Sequence, residues 1–147
     1  MTKAELEAKG AIFFEQITEG FQEFKDETLT FSAEDALKYF REKIEMYGSA
    51  NSFADFYYFS LNRQAQEMVE TKLSEEEMVY LEQIRPEGDA KEHLIFPLTD
   101  ELLKIIVKLN AKEMLFSTLY FLKADGLERM MFWGNFGGEY ICFSDSK

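Results

Sequence analysis

The chain has 147 residues, 46% of them hydrophobic, and sets 28 acidic against 16 basic residues for a formal net charge of -12. That length and apolar content exclude a disordered chain and suit a single domain over residues 1–147 with its own core. The acidity argues against ordinary nucleic-acid binding and against docking on anionic lipid, and the lone cysteine, Cys142, excludes an intramolecular disulfide framework.

The first nine residues alternate charged and apolar side chains and lack the apolar core of a signal peptide. With the single cysteine, this predicts a cytoplasmic protein. No stretch is apolar enough for a membrane span, since Lys104, Lys108 and Lys112 interrupt the best candidate.

In chain order, Leu6, Ile12, Phe13, Ile17, Phe21 and Phe24 recur at three to four residues and predict a first helix over 4–24. Gly10 and Gly20 weaken it and suggest curvature or a close packing contact. Residues 28–31 break the pattern and read as an extended connection. Ser32 as N-cap and Gly48 as stop delimit a second helix over 33–47.

A third helix is expected over 53–72, opened by Ser52 and Asp55. Ser74 with Glu77 has the form of a capping box and starts a fourth helix over 75–84. Pro86, Gly88 and Asp89 mark an exposed loop, and residues 93–96 suit a short edge strand stopped by Pro97. Thr99 caps a fifth helix over 99–110, which Leu102, Leu103, Ile105, Ile106, Val107 and Leu109 make apolar nearly all round.

Beyond it the period changes. Residues 114–122, 127–133 and 139–143 are rich in aromatic and β-prone side chains, separated by Ala124-Asp125-Gly126 and by the glycine-rich segment 134–138. The expected fold is therefore α+β, with five helices packed on a C-terminal three-stranded antiparallel meander.

Catalytic signatures are absent. His93 is the only histidine, so paired-imidazole metal sites are ruled out, and no metal or cofactor is expected. Cys142 has no base beside it and reads as a structural thiol. The 134–138 glycines lead into a strand rather than a helix, which fits a hairpin and not a phosphate loop.

Three features remain as candidate binding elements. Trp133, Asn135 and Phe136 are expected to project from the hairpin tip as a recognition surface. Five of the seven residues from Phe53 to Phe59 are aromatic, and on a helix part of this cluster, including Tyr57 and Tyr58, cannot face the core. Glu15, Glu19 and Glu23, spaced by four on the first helix, form a ridge of like charge.

The leading expectation is a non-enzymatic, inhibitor-like or immunity-like domain that binds a basic protein partner. Homodimerisation through the aromatic excess is a further possibility. The other reading is a small-molecule-binding domain or enzyme using carboxylate chemistry in an aromatic pocket. A deep apolar pocket holding a buried acid favours that second reading; a flat acidic surface with a projecting Trp133 favours the first.

Overall fold

A computed structural model of the chain describes residues 1–146. Its elements in chain order are α1 (Lys3–Ala8), α2 (Ile17–Glu23), β1 (Lys25–Thr30), α3 (Ala33–Tyr47), β2 (Ser52–Asp55), α4 (Arg63–Glu70), α5 (Glu75–Ile84), β3 (Ile95–Pro97), α6 (Asp100–Ala111), β4 (Thr118–Phe121), β5 (Met130–Gly134) and β6 (Glu139–Ser144). The six strands form one antiparallel sheet in the order β1-β6-β5-β4-β2-β3.

The α+β class is as expected, but the sheet is not a three-stranded C-terminal meander. Strands β4, β5 and β6 are its centre, and three strands from earlier in the chain extend it. The physical reason is that strands apolar on both faces leave buried edges, and a buried edge must pair its backbone amides and carbonyls. β1 satisfies the edge of β6, from Lys25 opposite Ser144 to Thr30 opposite Glu139. β2 satisfies the edge of β4, with Phe53 opposite Tyr120. The outer edge of β1 is blunted by Lys25, Asp26 and Glu27, all exposed. At the other edge β3 ends in Pro97, where the missing N–H costs no ladder bond.

Alternation along the strands divides the core in two. Phe132, Leu119, Phe121, Tyr140, Cys142 and Ala54 face α3 and α6 in the larger core. Met131, Tyr120, Ile141, Phe143 and Phe53 face the opposite way, onto Leu6, Ile12 and Phe14 of the N-terminal segment.

The expected helix over 4–24 is two short helices joined by a non-helical stretch. Gly10 adopts φ +96 just beyond α1, and Ala11, Ile12 and Phe14 are then buried against the sheet. Gly10 breaks the helix, and the non-helical backbone that follows lays these side chains on the sheet in place of a continued helical face. Gly20 does mark a close contact: a Cβ there would overlap the Phe14 ring and stand 2.8 Å from Phe143.

The expected helix over 53–72 is also replaced. Ser52, Phe53, Ala54 and Asp55 are all buried, a demand that a strand between two neighbours meets and one helix face does not. The helix begins only at Arg63, where Asn62 Oδ1 accepts the Ala65 amide at 2.8 Å. By contrast α3, α5 and α6 follow their caps, with Ser32, Ser74 and Thr99 accepting from the amides of Asp35, Glu77 and Leu102. No helix among the described residues is long and apolar enough to cross a membrane.

The β5–β6 turn supplies a first test. Gly137 and Gly138 have φ of +69 and +73; a Cβ on Gly137 meets open space, whereas one on Gly138 overlaps the Phe31 carbonyl. Gly137→Ala is therefore expected to cost about 1 kcal/mol for the left-handed backbone alone. Gly138→Ala adds a steric cost of about 1–3 kcal/mol, because Phe31 is also held there by its amide, which donates to the Gly138 carbonyl at 2.9 Å. Urea unfolding of the two variants checks this, and equal midpoints would contradict it.

Candidate functional site

The C-terminal end of β2, the start of β4 and the end of β5 lie at one end of the sheet, since β4 is antiparallel to both neighbours. The N-terminal segment crosses the sheet face there without filling it. Between them is a cavity of about 480 Å³, with aromatic walls from Phe13, Phe14, Tyr57, Phe116, Tyr120 and Trp133. Its polar lining includes Asp55, Thr118, Ser117, Lys3, Glu15 and Gln16.

Asp55 is the buried charge of this site, only 4% exposed. Strand parity points it to the same face as Phe53 and Tyr120. Its carboxylate takes the place of a backbone acceptor where the β2–β4 ladder ends: Oδ1 accepts the Thr118 amide at 2.7 Å. Oδ2 faces the Tyr57 hydroxyl, which donates across 3.5 Å. Burial pushes the carboxyl up to about 7, against the opposing pull of the Thr118 amide and the Lys3 ammonium. Tyr120 and Tyr57 are raised as well, chiefly by burial and then by the Asp55 charge.

The other walls are fixed by packing. Trp133 lies parallel to Phe14, with ring centroids 5.8 Å apart and an interplanar angle of 8°. Phe14 also meets Phe143 edge-on at 5.0 Å. Gly134 lines the cavity with bare backbone; a side chain there would point to the opposite face of the sheet, overlapping Asn110 Oδ1 and approaching the Ser117 carbonyl to 2.7 Å. Lys3, at the first position of α1, places its ammonium 5.5 Å from the centre of the Tyr57 ring.

The N-terminal wall is tethered at both ends. The Met1 carbonyl accepts from the Ile95 amide and the Met1 ammonium donates to the Ile95 carbonyl, each at 3.0 Å. Arg129 donates to the Gly10 carbonyl at 3.2 Å, is paired with Asp145 at 2.9 Å and covers the Phe24 ring.

The candidate residues from the sequence are thus redistributed. Trp133 does not project from the hairpin; it is half-buried in the pocket wall. Asn135 folds back to cap the turn, its Oδ1 accepting the Phe136 amide at 2.9 Å. Phe136 does project, 63% exposed, with its ring against Phe116. Tyr57 and Tyr58 go to opposite faces: Tyr57 lines the pocket, and Tyr58 joins the larger core while donating to Glu70 at 2.6 Å.

The acidic ridge does not exist as such. Glu15 lies in the non-helical stretch and lines the pocket, while Glu19 and Glu23 are exposed on α2. No group of three or more His, Cys, Asp or Glu among the described residues is arranged to hold a metal ion. Cys142 is buried in the larger core, and burial pushes its thiol up to about 12.

Sequence reasoning missed Asp55, Thr118, Lys3 and Phe14 as pocket residues. One signal was present, a carboxylate set inside the aromatic run from Phe53 to Phe59, but a helical reading of that run turned Asp55 into a capping residue. No family model, curated protein or solved structure matches this chain.

Proposed function

We propose that this domain binds a small organic molecule in the pocket between its N-terminal segment and the sheet. The observation that carries the reading is the buried Asp55 carboxylate at the base of an aromatic cavity of about 480 Å³. Apolar walls with a few converging polar groups are the usual form of a small-ligand site. A carboxylate is expensive to bury in such a place, and Asp55 lines the cavity with one oxygen held by the Thr118 amide at 2.7 Å and the other met by the Tyr57 hydroxyl across a long 3.5 Å. In this reading Trp133 and Phe14 stack on the ligand body and Asp55 accepts a hydrogen bond from it.

A partner-docking role for a basic protein draws its support from the net charge of -12 and from Phe136. It has less behind it, because the tryptophan expected as its anchor belongs to the pocket.

Trp133 is the only tryptophan, so its fluorescence reports entry to the site. Titration with benzylamine, benzyl alcohol and benzoate is expected to give a saturable change with at least one of them. The amide NMR shifts should move at Asp55, Tyr57, Thr118, Trp133 and Gly134. Absence of saturation with all three, or shifts that cluster elsewhere, would overturn the reading.

A further inference from the structure

Resting on that pocket, we infer that its ligand class is the small organic cation, a primary or N-methylated ammonium on a compact apolar body, and that Lys3 is the chain's own occupant of the cation position. Two carboxylates, Asp55 and Glu15, line the cavity against one ammonium, Lys3. The surrounding chain carries -12, which raises the local concentration of cations. The tyrosine and tryptophan faces that complete the walls attract an ammonium through their ring quadrupoles, more strongly once water is excluded.

Lys3 shows where that cation sits. Its ammonium stands over the Tyr57 ring at 5.5 Å and close enough to Asp55 to act on its charge. Among the described residues it forms no salt bridge. It is not there by chance of a loose terminus. The capping box of Thr2 and Glu5 fixes the start of α1, and Leu6 anchors the helix with no exposed surface. A lysine stem that reaches into an aromatic, acid-based site from a six-residue helix is an intramolecular competitor. An external ammonium with a better fit displaces it towards solvent, at the small cost of releasing one half-exposed side chain.

Choline and its neutral carbon isostere 3,3-dimethylbutan-1-ol separate charge from shape. With the full chain, titrations read by Trp133 fluorescence and by calorimetry are expected to show choline binding about tenfold tighter than the isostere. Lys3→Met keeps an apolar stem and removes the competing charge, so choline is expected to tighten by a further roughly tenfold while the isostere changes less than about twofold. Asp55→Asn should abolish the preference for choline.

Equal or tighter binding of the neutral isostere would overturn the cation class, as would tighter binding of benzoate than benzylamine. A choline affinity unchanged or weakened by Lys3→Met would overturn the role of Lys3. Either result leaves the pocket itself standing, whereas failure of every probe regardless of charge would overturn the pocket reading and this inference together.

Discussion

Asp55→Asn is expected to stabilise the protein at pH 8 by about 2–4 kcal/mol and to flatten the dependence of its stability on pH. In the folded chain the Asp55 carboxyl titrates near 7, pushed up mainly by burial, whereas in the unfolded chain it titrates at its ordinary value near 4. Between those two values the folded state holds the proton and the unfolded state has lost it. Stability therefore falls as pH rises through that window, by up to about 1.4 kcal/mol per pH unit, and the loss is complete above about pH 7.

The full span corresponds to about 4 kcal/mol, which is a large fraction of the stability of an ordinary domain. Asparagine keeps an oxygen for the Thr118 amide and offers a donor towards the Tyr57 and Tyr120 hydroxyls without carrying a charge. Lys3 loses its nearby anion but retains the Tyr57 ring.

Urea unfolding of both proteins between pH 4.5 and 8.5 measures the effect, with the difference between them cancelling the other carboxylates. Parallel profiles would mean that the Asp55 charge does not burden the fold. A site that gains stability when its polar group is neutralised is one whose charge serves something other than folding.

Phe132→Ala is expected to cost about 3–5 kcal/mol, lowering the urea midpoint without changing the slope. Phe132 lies on β5 near the middle of the sheet and has no exposed surface. Its ring is met edge-on by Phe40 at 5.1 Å, Phe121 at 5.8 Å and Tyr39 at 5.9 Å. Removing it forfeits the transfer energy of the ring, opens a cavity between sheet and α3, and breaks three edge-to-face contacts.

Phe40 and Phe121 are themselves held by further rings, Phe40 by Phe31 and Tyr140 and Phe121 by Tyr47, so the cavity cannot collapse cheaply. Phe132→Leu should recover about half of the loss, since it refills much of the volume but none of the aromatic geometry. A cost below about 1 kcal/mol for Phe132→Ala would show that the core is looser than its packing implies.

The candidate site was only half visible before the fold. Of the candidate binding residues legible in the sequence, Trp133, Tyr57 and Glu15 line the pocket, each by a route that local pattern does not show. Local pattern places Trp133 at a hairpin tip, and Tyr57 and Glu15 on helices. Asp55 is hidden because a carboxylate three residues after a serine imitates a helix start, a signal that is local and strong. The competing requirement was that β4 needed a partner on its second edge, and nothing local in residues 52–55 announces that.

The same division runs through the whole chain. The sequence by itself determined the helices whose ends are chemically marked. Ser32, Ser74 and Thr99 satisfy amides within three residues of themselves, so α3, α5 and α6 form where their caps stand. It also determined the turns at Gly126 and Gly137–Gly138, whose positive φ few side chains tolerate.

Only the tertiary structure decided which segments complete the sheet and what covers its second face. β1 and β2 pair with strands more than 60 residues away in the chain, and the N-terminal segment gives up helical periodicity to bury Ala11, Ile12 and Phe14. Those choices rest on edge hydrogen bonds and buried area, quantities that exist only once distant parts of the chain have met. The pocket around Asp55 is made entirely of such choices, which is why its walls come from five separate stretches of sequence.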